Sequence, residues 1–215
     1  MSEEKTGFLT QLTGVLYKPR QIFKSMDEGD LIKGLAITLV MVILAAYSSM
    51  LYLSKIPLSV VSPQLEGIDT SQFEGSMGLF AGIGSGITII FGWTAATLLL
   101  HGLGRLSGGN GSMKRLFAMH GFASVPSLFN QLIRVIDAYL MDGKSLAGYF
   151  IAYRDIESKV LKALMGTNLF NFWGLATIVL LVLAVEENYQ IGRGRAVMIV
   201  LLPSLIYFSF NYFTG

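Results

Sequence analysis

Apolar residues along this chain gather in long runs, and polar residues are pushed to the ends of those runs. Five runs stand out, over residues 31–53, 76–104, 113–141, 168–185 and 196–213. Each comes near or exceeds the ~20 residues that an α-helix needs to cross a ~30 Å hydrocarbon core. Ten-residue alternating segments, the pattern of a membrane barrel, are missing, so helices are the expected spanning element. The pattern predicts an all-α, polytopic integral membrane bundle of five transmembrane helices over residues 31–215, behind an N-terminal segment, 1–30. The third run is the most polar, with His120, Asn130, Gln131, Arg134 and Asp137 inside it. Pro126 and Pro203 each stand mid-run and predict a kink, because proline removes a helical hydrogen bond.

Outside the runs, two stretches have helical spacing of a different kind. In residues 6–26, Phe8, Leu9, Leu12, Val15 and Leu16, then Ile22, Phe23 and Met26, recur at about helical intervals with a break at Pro19. This predicts two short amphipathic helices at the cytoplasmic membrane interface, their lysines towards headgroups. Between runs three and four, SLAGYFIAYRDIESKVLKALMG (145–166) predicts an external amphipathic helix. Its N-cap would be Ser145, its stripe would run from Leu146 through Tyr153 and Val160 to Leu164, and Asp155 would sit four before Lys159. The stretch 54–75 carries prolines, serines and acids and predicts an external loop.

Composition strengthens the membrane reading. Of 215 residues 53% are hydrophobic and only 14% charged, against about 25% in soluble domains. Mean hydropathy is +0.58. There is no cysteine, which removes disulfides and thiolate metal sites, and a formal charge of +2 argues against nucleic acid as a partner. The N-terminus lacks the apolar core and small-residue cleavage pattern of a signal peptide, so the first run is expected to remain as an anchor. Lys and Arg then set the orientation. Ten of them fall in the N-terminal segment and the 2–3 and 4–5 loops, and six fall on the other side. The N-terminus is expected in the cytoplasm, the C-terminus outside, and the protein in the cell membrane as a multi-pass chain.

The candidate chemistry concentrates at a few places. HGLGRLSGGNGSMKRLF (101–117) contains LSGGN, one letter from the LSGGQ signature of ABC-type ATPases. That signature works opposite a Walker A loop, and no G-x-x-x-x-G-K-[ST] exists here, so a nucleotide is not expected. The geometric reading is a cytoplasmic hairpin. Gly108, Gly109 and Gly111 can take φ > 0, Asn110 tolerates it, Ser112 caps the next helix, and Arg105, Lys114 and Arg115 hold the turn on the cytoplasmic face. Glu186-Glu187 begins the EExxxR motif of CAAX-type proteases, but the arginine's place holds Ile191. Interfacial carboxylates beside Arg193 and Arg195 are the better account. His101 and His120 flank the hairpin and could face one another, though two ligands make a poor metal site. With Asn130, Gln131, Arg134 and Asp137 they form a candidate polar pocket. The competing account pairs Arg134 with Asp137 and bonds Asn130 and Gln131 to neighbouring helices. Gly78, Gly82 and Gly86 repeat every four residues, a stripe for close helix packing within the bundle or in a homodimer. No catalytic, cofactor or metal constellation is assembled, so no enzyme activity and no cofactor is expected.

Taken together, LYKPRQIF (16–23), the five runs, and HGLGRLSGGNGSMKRLFAMHGFASVPSLF (101–129) resemble the Yip-type membrane domain, named for Ypt/Rab-interacting proteins. The shared features are an aromatic-Pro element followed by Phe, a glycine hairpin, a basic residue, a small-aromatic pair and a mid-helix Pro. His120-Gly121-Phe122 departs from the Gly-Tyr often found there, and the Asp-Leu-Tyr-Gly-Pro element of eukaryotic members is missing, so the chain looks prokaryotic. The resemblance implies a non-enzymatic membrane scaffold, trafficking-like or an accessory protein of a complex such as an exporter. Its partners would be the lipid bilayer and either another membrane protein or further copies of itself. The alternative is a small transporter or channel with a polar path near Asn130 to Asp137.

Overall fold

The structure, a computed structural model, describes residues 7–57, 60, 71–160 and 171–214. Most of the 54–75 loop, residues 161–166 of the expected external helix and the start of the fourth run at 168 lie outside them. The described residues form helices and no strand. In chain order these are α1 (Phe8–Tyr17), α2 (Pro19–Ser25), α3 (Leu31–Lys55), α4 (Ser71–Leu106), α5 (Met113–Ala123), α6 (Val125–Leu140), α7 (Gly143–Arg154), α8 (Phe172–Tyr189) and α9 (Arg193–Thr214). Among the described residues three helical segments are long and apolar enough to cross a membrane: Glu28–Lys55, Ser76–Leu106 and Phe172–Tyr189.

The third run is not one helix. It breaks at Ser124 into α5 and α6, of 11 and 16 residues. Pro126 has no N–H to give to Phe122, so it sits where no intrahelical donor is needed, in the first turn of α6. Ser124 closes the gap, its backbone N–H and its hydroxyl both donating to His120 O. Pro203, by contrast, stands inside a continuous α9. The external helix is also corrected at its start and interrupted after Arg154, with helix again at 159–160. Asp142 caps α7 by accepting from Ser145 N at 2.7 Å, so Ser145 lies within the first turn. α7 then stops at Arg154, which leaves Asp155 beyond the helix and removes its i, i+4 relation to Lys159.

Packing is uneven along the bundle. α3 lies against α4, α5 and α6, and α8 joins α5, α6, α9 and α2. The buried core gathers at the end that holds α1, α2, α5 and the second half of α8, with Phe23, Leu116, Phe122 and Val185 fully enclosed. At its centre α3 and α5 cross backbone to backbone. A Cβ on Gly34 would stand 2.6 Å from Ala118 O, and one on Gly121 would collide with Gly34 itself. Only glycine permits that approach.

α1 and α2 do not simply lie on the membrane surface. Val15, Ile22, Phe23 and Met26 turn into the same core as α5 and α8, and Phe8 meets Phe122 edge to face at 6.1 Å between ring centroids. Each such side chain contributes about 1.5–3 kcal/mol when taken from water. Behind them Lys33 ties Asp30 (2.6 Å) to Gln11 (3.0 Å), and Asp30 closes a capping box with Asp27.

Candidate functional site

The hairpin end is built from the glycine cluster upward. α4 terminates by a left-handed residue, Gly108, at φ +86°. Gly109 N donates to Gly104 O at 3.1 Å and Gly108 N to Arg105 O at 3.0 Å, a pair of bonds that closes a helix C-terminus in this way. Asn110 accepts from Arg105 Nη1 at 3.2 Å, and Ser112 caps α5 by accepting from Arg115 N at 3.4 Å. Lys114 is exposed beside it.

The glycines do more than turn the chain. A Cβ on Gly109 would stand 2.5 Å from Tyr189 Cβ, one on Gly111 2.5 Å from Asn188 Nδ2, and one on Gly104 2.8 Å from the Tyr189 ring. Tyr189, the last residue of α8 and 2% exposed, therefore lies in a cradle that side chains would fill. Its hydroxyl shares a hydrogen bond of 2.6 Å with His101 Nδ1, while Asn188 Nδ2 donates to Ser112 O at 3.0 Å. Gln190 then reverses the chain in the left-handed region at φ 53°.

Arg115 joins this cluster to the N-terminal helices. Its Nε donates to Met26 O at 2.8 Å and its Nη2 to Phe23 O at 2.9 Å, supplying the free carbonyls at the end of α2. Glu186 accepts from Arg20 at 2.8 Å and Arg193 at 3.3 Å, and Arg195 donates to Ser107 O at 3.4 Å. The basic residues of the N-terminal segment, the 2–3 hairpin and the 4–5 turn thus meet at one end of the molecule.

The two histidines belong to separate clusters. His101 pairs with Tyr189, whereas buried His120 shares a 2.6 Å hydrogen bond with Thr97 and tilts against Trp93. They do not face each other, because α5 turns His120 inward to α4 and Tyr189 occupies the side of His101. Among the described residues no three of His, Asp and Glu gather as metal ligands.

The polar stretch of α6 lies at the opposite end. Arg134 and Asp137 line an open cleft of about 720 Å³ between α3, α4, α6 and α7, together with Tyr52, Tyr149 and Tyr153. The expected Arg134–Asp137 ion pair is not formed, since the guanidinium lies over the Tyr52 ring, 5.9 Å from its centroid. Asn130 is half-buried outside the cleft lining, and Gln131 buries its amide oxygen without a hydrogen-bond partner among the described residues. The link from α6 to α8 is made instead by Ser127 and Thr177, 2.8 Å apart.

Gly78, Gly82 and Gly86 face α3. A Cβ at the first would stand 2.9 Å from Met50 O, at the second 2.8 Å from Ala46 O, and at the third 3.3 Å from Val42 Cγ1. Sequence reasoning missed Tyr189, Asn188, Gly34 and Lys55, whose Nζ donates to Ala138, Tyr139 and Met141 carbonyls at the end of α6. Gly121 was visible only as part of a motif. Lys55 carried a signal, as a lone cation at the end of an apolar helix.

A family model described as the Yip1 domain matches residues 13–213, nearly the whole chain. No curated protein and no solved structure matches it.

Proposed function

The chain belongs to the Yip1 domain family, and from that premise we propose that it is a non-enzymatic integral membrane scaffold serving as accessory subunit to a membrane complex such as an exporter. In this reading it is a prokaryotic, multi-pass protein of the cell membrane. Its five apolar segments cross, with α5 and α6 forming a broken third crossing and the hairpin end in the cytoplasm. The observation that carries the reading is the construction of that end. α1, α2, the hairpin and the α8–α9 turn are locked together by Arg115, Tyr189 and Glu186, which makes a rigid platform in place of an open conduit. Meanwhile α3 and α4 leave Ile32, Leu39, Ile87 and Phe91 exposed, a surface for acyl chains or for another spanning helix.

The test is purification of the full chain in mild detergent from its host, with and without Arg115→Ala. One membrane complex recovered in fixed stoichiometry, and lost with the variant while the protein still reaches the membrane, is the expected result. Recovery of the protein alone, with no membrane phenotype on deletion, would reject the scaffold.

The cleft with Arg134 and Asp137 favours a second reading, a small transporter or channel. Against it, α3 buries Ser48, Ala45 and Met41 directly past the cleft's inner residue Ser49. Solute flux in proteoliposomes, abolished by Arg134→Gln, would decide for the transporter.

A further inference from the structure

We propose that the cleft between α3, α4, α6 and α7 binds the headgroup of a zwitterionic glycerophospholipid, with Arg134 on the phosphate and Asp137 on the ammonium. The proposal is independent of the scaffold reading. Its first support is an unformed pair. Arg134 and Asp137 stand three residues apart on one face of α6, where unlike charges ordinarily meet. Here they line the same cleft without an ion pair between them. The guanidinium lies over the Tyr52 ring and makes no ion pair among the described residues.

A planar donor fork suits a phosphate diester, and a carboxylate a few ångströms along suits an amine-bearing group. The tyrosine hydroxyls of α7, Tyr149 and Tyr153, add neutral donors at the rim.

Among the described lining residues the charges sum to zero. A purely anionic ligand would gain Arg134 but face Asp137, so the site discriminates by repulsion as well as attraction. The remainder of the lining, Leu53, Ile56 and Leu146 among it, is apolar, which a free phosphoamine would leave unused and a glycerolipid backbone would cover. The volume of about 720 Å³ falls within the ~300–1,000 Å³ of small-molecule sites.

The experiment is native mass spectrometry of the delipidated full-length protein offered phosphatidylethanolamine and phosphatidylglycerol in equal amounts. A third arm offers free phosphoethanolamine. Wild type is expected to retain the zwitterionic lipid about tenfold over the anionic one. Asp137→Asn should erase that preference, and Arg134→Gln should reduce retention of both lipids, with Arg134→Lys in between. Equal or greater retention of phosphatidylglycerol by wild type would overturn the proposal without any variant having to fold. So would unchanged retention in Arg134→Gln, or retention of free phosphoethanolamine as strong as that of the lipid.

Discussion

The two ends of this bundle are made from similar helices but finished in opposite ways. At the hairpin end polar side chains reach across to other elements: Arg115 to α2, the Asn188 amide nitrogen to Ser112, His101 to Tyr189. At the far end α3 and α6 are joined by Lys55 and by the Tyr47–Tyr139 hydroxyl pair, and Arg134 and Asp137 line a cleft without an ion pair between them. The difference is one of connection length. Glycines let the chain reverse within 107–112 at the hairpin, so neighbouring helices are forced into register there. At the other end residues 56–70 make a longer connection from α3 to α4, although Gly78 still brings α4 onto the Met50 carbonyl of α3. Buried polar groups that are satisfied rigidify a fold, and exposed ones remain free to meet a ligand. Rigidity and chemistry have been assigned to different ends.

The contrast can be broken most strongly at Tyr189. Tyr189→Ala empties the glycine cradle and removes the partner of His101, and should cost about 3–5 kcal/mol, as large aromatic truncations do. Thermal unfolding in detergent would register it, and Tyr189→Phe should recover most of the loss because the ring fills the cradle. A cost near zero for Tyr189→Ala would mean the hairpin end is no better packed than the cleft. Next in size is the α3–α5 crossing. Gly121→Ala sets a methyl into the Gly34 backbone and should destabilise by about 1–3 kcal/mol. Gly84→Ala, with open space around its Cβ position, should be neutral in the same assay.

The smallest expected effect lies at the far end, in the cap of α7. The backbone N–H of Ser145 holds the Asp142 carboxyl below the usual carboxylate range. A depressed folded value means that the cap's contribution is complete above the ordinary carboxylate pKa and fades as pH falls through the folded one. The exchange protection of α7, relative to the intrinsic rate at each pH, should therefore fall on acidification through that window, while Asp142→Asn keeps an acceptor but loses the pH dependence. The ties of Arg115 and Asn188 to backbone carbonyls at the hairpin end involve no carboxylate, and α5 should show no comparable change.

Much of the first end was legible in the residues. Pro19 separating two helices, Ser112 as a cap and the glycine reversal at 107–112 are local signals, each set by the backbone needs of a few neighbouring residues. The break at Ser124 was half legible. Pro126 announced a disturbance, but whether a helix bends or divides depends on what its freed carbonyls find, here the Ser124 hydroxyl. Tyr189 and the Gly34–Gly121 crossing left no local trace. They exist because faces more than 75 residues apart in the chain meet, and a helical run shows which residues are apolar, not which neighbour each will face. The same limit explains Arg134 and Asp137, whose spacing favoured an ion pair until Tyr52 of α3 supplied another surface.

Arg20 and Glu186, joined at 2.8 Å, are 166 positions apart. A ribosome adding roughly 5–20 residues per second needs about ten to thirty seconds to cover that interval. Ile22 and Phe23 can thus meet α5 early, but their cover from α8 comes only after the fourth apolar segment has left the tunnel. The N-terminal helices can dock first on α5 through Arg115, and their closure against α8 is a late step of assembly.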